Sequence, residues 1–80
     1  MTPKHLLTEI VKAMVDYPED VEVREITGSG TSTIIFELIT NVDDIGKVIG
    51  KSGSHAMALR TLLKAMGGKD KTRYWLEIEQ

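Results

Sequence analysis

The chain has 80 residues, 41% of them apolar and 28% charged, with a net charge of −2. That suffices for a single domain, residues 1–80, with one modest core, and excludes a disordered tail. The absence of cysteine excludes disulfides, thiolate nucleophiles and cysteine-ligated zinc, and there is neither an apolar run of membrane-spanning length nor a charged-then-apolar leader.

The first helix is predicted over residues 3–16. Thr2 can cap it, and Pro3 takes the first helical position, where its missing N–H costs nothing. Leu6, Leu7, Ile10, Val11 and Met14 fall on one stripe at helical spacing, and Pro18 prevents continuation. Residues 21–26 read as a strand. Val21 and Val23 alternate, but Ile26 is out of phase, which predicts a bulge or an early end. Gly28-Ser29-Gly30-Thr31 is a flexible turn.

Residues 33–40 carry the clearest strand pattern. Ile34, Phe36 and Leu38 point one way, and Ile35, Glu37 and Ile39 the other. The two surplus isoleucines call for a groove ligand or a partner chain, or are simply exposed. A short helix follows over residues 44–49, capped by Asn41 or Asp43, and the acids Asp43-Asp44 are read as helix-capping residues. A longer one begins at Ser54, buries Ala56, Leu59, Leu62, Leu63 and Met66, and ends at Gly67-Gly68. Residues 69–72 form a charged loop. Residues 73–79 form a final strand with Tyr74, Leu76 and Ile78 on one face and Trp75, Glu77 and Glu79 on the other. The order is α-β-β-α-α-β, an α+β architecture.

Charge divides unevenly along this order. Residues 1–45 hold three bases and nine acids, a net of −6, while residues 46–80 hold seven bases and three acids, a net of +4. Such asymmetry suggests one polyanion-facing region on an acidic body. Lysines gathered at helix ends would give the same count.

The basic half contains Val48-Ile49-Gly50-Lys51-Ser52-Gly53. A side-chain-poor turn between two helices leaves backbone N–H groups and a helix N-terminus available to a phosphate. Three readings of this segment compete. Gly46-Lys47-Val48-Ile49-Gly50-Lys51-Ser52 is one residue short of a nucleotide-binding P-loop, and a helical segment precedes it where a P-loop needs a buried strand. The glycines could also simply close a corner between helices. The third reading is a nucleic-acid backbone clamp.

Here the sequence resembles a known family. Val48-Ile49-Gly50-Lys51-Ser52-Gly53 is similar to the (V/I)-I-G-x-x-G signature of KH domains. The wider run from Ile45-Gly46-Lys47 through Ala58-Leu59-Arg60-Thr61 resembles the small single-KH proteins of bacteria, the KhpA family. Only one helix and one strand fit after Gly53, so the resemblance implies the type II, prokaryotic KH fold: a three-stranded sheet packed against three helices.

It further implies a non-catalytic protein binding about four nucleotides of single-stranded RNA. Gly50, Lys51, Ser52 and Gly53 would hold the phosphates. Ile45, Lys47, Val48 and Ile49 would form one groove wall, and Ile39, Thr40 and Val42 the other. Arg60 would add a phosphate contact. The role implied is that of an RNA chaperone or a subunit of an RNA-binding complex in the cytoplasm. The partners implied are a second copy, or a larger KH-containing RNA-binding protein tied to cell shape and division; no membrane and no small-molecule substrate are implied.

Two departures stand out. Ser54, His55, Ala56 and Met57 follow the turn, where relatives often place Arg or Lys at the first and last of these positions. Each missing phosphate contact would lower the salt slope by about 0.7 for a single strand. The second is Trp75, on a strand whose outward positions are usually polar. It could stack a base, meet a subunit or pack under the first helix. These departures and the acidic first half support an alternative, a protein-interaction module that has kept the fold with weak or lost RNA binding. His5 and His55 have no cysteine partner and no metal-site spacing, Ser54-His55 lacks an orienting group, and Asp16, Glu19 and Asp20 lack the pattern of a calcium loop. No metal, cofactor or catalytic group is expected.

Overall fold

Helix α1 spans Pro3–Met14. Thr2 Oγ1 accepts the His5 amide at 3.1 Å, as a capping residue should. Leu7 and Val11 are fully buried, with Leu6, Ile10 and Met14 half-buried beside them. The helix ends two residues before the expected Asp16. Val15 is extended, and the amides of Asp16 and Tyr17 bond instead to the two carboxylate oxygens of Asp44, at 3.1 and 3.0 Å. Pro18 then opens a single 3-10 turn, Pro18–Asp20.

Three strands follow the expected order: β1 (Glu22–Thr27), β2 (Thr33–Ile39) and β3 (Arg73–Ile78). The computed structural model describes residues 1–28 and 32–80, so the turn expected at Gly28-Ser29-Gly30-Thr31 lies, apart from Gly28, outside the described residues. The sheet order is β1-β2-β3, with β1 antiparallel and β3 parallel to the central strand. The bulge expected near Ile26 is absent, because the register runs unbroken from Glu22↔Ile39 to Thr27↔Ile34. Ile26 is out of phase with Val23 because it belongs to the opposite face. There Ile26, Ile35 and Trp75 form one row across the three strands.

The inner face carries Val23, Phe36, Leu38 and Leu76, which join Leu7, Val11, Val48, Leu59 and Leu63 in one core. Each such side chain, removed from water, contributes about 1.5–3 kcal/mol. The partly buried Tyr74 packs against this core, its ring 5.5 Å from that of Phe36.

Helix α2 is short, Ile45–Ile49. A 3-10 turn, Val42–Asp44, leads into it, and Asn41 Oδ1 caps that turn by accepting the Asp43 amide at 2.9 Å. Asp44 was expected to cap α2. It is fully buried and serves as the brace that ties α2 to the end of α1. Burying a carboxylate is costly unless its oxygens are paired, and two backbone amides pair these.

Helix α3 runs Ser54–Asp70 with Gly53, not Ser54, at its cap. Gly67-Gly68 do not end it. Lys71, at φ 54°, supplies the left-handed residue that does, and its amide bonds to the Gly67 carbonyl. Gly67 instead lets β3 approach: a Cβ there would lie 2.3 Å from the Thr72 carbonyl oxygen. Leu62 was expected in the buried stripe, but is 48% exposed beside a groove between α1 and α3. No helix among the described residues is long and apolar enough to cross a membrane.

Candidate nucleic-acid interface

Residues 50–53 join α2 to α3 at the surface, so the glycine turn does link two helical segments. Gly50 takes φ 76°, ψ 168°, a conformation essentially restricted to glycine. Ser52 turns left-handed at φ 56°, ψ 27°, and Gly53 follows at φ 77°, ψ 15°. Left-handed residues in a turn redirect the backbone amides around them, as in the concavities that receive anions. The Gly53 amide closes the turn on the Gly50 carbonyl at 3.0 Å. The N-terminus of the 17-residue α3 abuts it, adding the positive end of a helix dipole. Gly46 lies inside α2 and no strand leads into it, which removes the P-loop reading.

From this turn a cleft of about 1350 Å³ runs between α3 and the outer edge of β3. Ile49, Ser52 and Gly53 line one end. Ala56, Met57 and Arg60 form the helix wall, and Tyr74, Trp75 and Ile78 the strand wall. Four cationic side chains line it, Arg60, Lys64, Lys71 and Arg73, against one acidic side chain, Glu77. The acidic chain as a whole therefore concentrates positive charge along one cleft.

Of the residues expected to form the site, Ile49, Ser52, Gly53 and Arg60 meet in this cleft, and Gly50 and the exposed Lys51 complete the turn at its end. The expected walls need correction. Val48 is fully buried in the core and cannot serve as a groove wall. Ile45 is half-buried. Lys47 points behind the turn, where it borders the α1–α3 groove and its Nζ donates to Asp16 Oδ2 at 2.6 Å. That hydrogen bond, with the Asp16 charge, holds the Lys47 ammonium above its usual pKa. Ile39, Thr40 and Val42 do not line the cleft. Its second wall is β3, because β3 and not β2 is the sheet edge beside α3.

Lys64, Lys71 and Arg73 were not singled out as site residues, although the charge count had placed them in the basic half. Only the α3–β3 pairing shows that they converge.

The strand wall has its own construction. Arg60 reaches from α3 across the edge of β3, donating from Nε and an Nη to the Leu76 carbonyl at 3.4 and 3.2 Å. Its guanidinium carbon lies 4.9 Å from the Trp75 ring centroid. Trp75 Nε1 donates to Glu77 Oε1 at 2.8 Å. Trp75 is thus a half-exposed residue on the open sheet face, not a residue under the first helix. Among the described residues, no three of His, Cys, Asp or Glu gather as a metal site would require.

Residues 4–78 match the family described as "KhpA/KhpB, KH domain". The chain is 47% identical over 75 residues to "RNA-binding protein KhpA" of Chlamydia trachomatis serovar D, covering 94% of both chains. It is 47% identical over 75 residues to the protein of the same name from Clostridium acetobutylicum, covering 94% of this chain and 97% of that one. For that of Caldanaerobacter subterraneus subsp. tengcongensis the identity is 51% over 73 residues, with 91% and 95% covered. Among solved structures, Aquifex aeolicus Era bound to GDP·AlF4− superposes with a TM-score of 0.56 at 20% identity. The match takes in 98% of this chain but only 31% of that one, a likeness of fold alone.

Proposed function

Because this chain belongs to the KhpA/KhpB KH-domain family, a non-enzymatic RNA-binding family, we propose that it is a single-stranded RNA-binding protein gripping about four nucleotides along the α3–β3 cleft. The observation that carries this is the charge of the cleft: four cationic side chains to one acidic side chain on a chain of net −2, leading to a glycine turn at the surface. Phosphates bind at residues 50–53 through backbone N–H groups and the Lys51 ammonium. Bases lie on Ile49, Ala56 and the β3 edge, where backbone groups can hydrogen-bond base edges. The protein works in the cytoplasm as an RNA chaperone or as one subunit of an RNA-binding assembly. A single four-nucleotide groove gives little affinity, and pairing with a second KH chain, identical or larger, multiplies it.

Fluorescence anisotropy on short single-stranded RNAs at two salt concentrations tests this, with the Lys51→Asp, Ser52→Asp double variant as the comparison. Aspartate tolerates the left-handed angles at position 52, so the turn keeps its shape. Binding should weaken at least tenfold, and the salt slope should flatten. Unchanged affinity in a folded variant removes the cleft as an RNA site. It then favours the second reading, a protein-interaction module, which rests on the apolar row of Ile26, Ile35 and Trp75 and on the exposed Leu62.

A further inference from the structure

We propose that His55 is the positioning residue of the turn: its imidazole holds residues 50–53 in shape from behind, without touching the nucleic acid. This rests on the RNA-binding reading for its consequence, but not for its geometry. The last turn of a helix leaves carbonyls whose next amide has moved away. In α2, Gly46 O recovers a partner from the Gly50 amide at 2.9 Å, and Lys47 O finds His55 Nδ1 at 2.7 Å. A carbonyl only accepts, so Nδ1 carries the proton.

The same ring closes on the first residue of the turn. A Cβ at Gly50 would lie 2.6 Å from His55 Cγ and 2.8 Å from the His55 amide nitrogen. One side chain from the first turn of α3 therefore pins both the Lys47 carbonyl of α2 and the backbone at Gly50. It does so from the far side. His55 borders the α1–α3 groove with Ile10, Met14 and Lys47, whereas Ile49, Ser52 and Gly53 face the cleft. A residue placed there sets where the amides of the turn point and leaves the ligand's path open.

The first test uses the ligand-free chain. Long-range proton–nitrogen NMR at mildly alkaline pH should find the neutral His55 ring protonated at Nδ1. A ring protonated at Nε2 overturns the proposal. The second test compares three variants. Asparagine at 55 presents an amide N–H near the Nδ1 position, glutamine reaches the Nε2 position instead, and alanine offers neither.

His55→Ala and His55→Gln should raise the mobility of the amides at positions 50–53. They should also weaken RNA binding roughly 3- to 10-fold, the worth of one ordinary hydrogen bond. His55→Asn should stay within about twofold of the parent, since it keeps that bond. If asparagine behaves as alanine does, or alanine leaves both the mobility and the affinity unchanged, the proposal fails. If the Nδ1 proton and the ordering of the turn are found but the parent binds no RNA, the clamp stands and the RNA reading falls.

Discussion

The two ends of the cleft are built from different materials. At the turn, the surface is backbone: Gly50, Ser52 and Gly53 set it by their own φ and ψ angles, with His55 packed against the first. At β3, the surface is side chain: Arg60 crosses a strand edge to reach Leu76 O and stack on Trp75. A backbone-built end tolerates substitution poorly: a Cβ at Gly50 would run into His55, and at Gly53, where there is room for one, the positive φ strains any other residue. A side-chain-built end can lose one member and keep its shape, because each contact there is an ordinary one.

The largest effect should come from Gly50→Ala. A non-glycine residue at φ 76°, ψ 168° costs on the order of 1–3 kcal/mol, and the new methyl meets His55 both at its ring and at its backbone nitrogen. A total near 3 kcal/mol is expected, about 12 °C or more in Tm for a chain of this size, measured by thermal melting. Adding His55→Ala sharpens the comparison. It removes the ring but not the backbone nitrogen or the strained angles, so most of the loss should persist. Full recovery would mean that the turn is shaped by side-chain packing after all, as the other end is.

Much of this contrast tracks what could be read from the chain. The glycine turn at residues 50–53, the capping threonine, the inward rows of β2 and β3 and the order α-β-β-α-α-β are local patterns, and all appear where spacing placed them. What spacing could not supply was pairing. Arg60 and Trp75 meet only because α3 folds back beside β3. Lys47 turns from the groove because Asp16, 31 residues earlier, lies within reach. Ile39, Thr40 and Val42 lie outside the cleft for the same reason, since which strand lies at the sheet edge is a property of the topology. Asp44 was misread in another way: an acid before a helix usually caps it, but burial recruits this one to two distant amides.

Replacing Arg60 with alanine should cost less than the glycine change. It forfeits a cation–π contact worth about 0.5–1 kcal/mol at a partly exposed site and hydrogen bonding to Leu76 O worth roughly another 1 kcal/mol. The expected destabilisation is therefore about 1–2 kcal/mol, read by urea denaturation, together with a change in Trp75 fluorescence, Trp75 being the chain's single tryptophan. Arg60→Lys should recover part of the stability, since an ammonium can sit over the ring but cannot make the forked contact as well. A loss matching that of Gly50→Ala would erase the distinction between the two ends.

The smallest effect lies at the corner where α3 meets β3. Tyr74 donates from its hydroxyl to Asp70 Oδ2 at 2.8 Å. That hydrogen bond, then burial and the carboxylate's negative charge, raise the phenol above its ordinary value near 10. A raised value means that the folded state holds its proton more tightly than the unfolded one. The stabilisation is thus complete below pH 10 and is lost as pH climbs through the folded value. Ultraviolet titration should show a tyrosine ionising late, absent in Tyr74→Phe and shifted downward in Asp70→Asn. The stability advantage of the parent over Tyr74→Phe should shrink only on the alkaline side. A corner contact that titrates while the turn stays indifferent to the same pH change is what side-chain construction at one end and backbone construction at the other require. A turn that loosened in step with Tyr74 would show that the two ends are one cooperative unit.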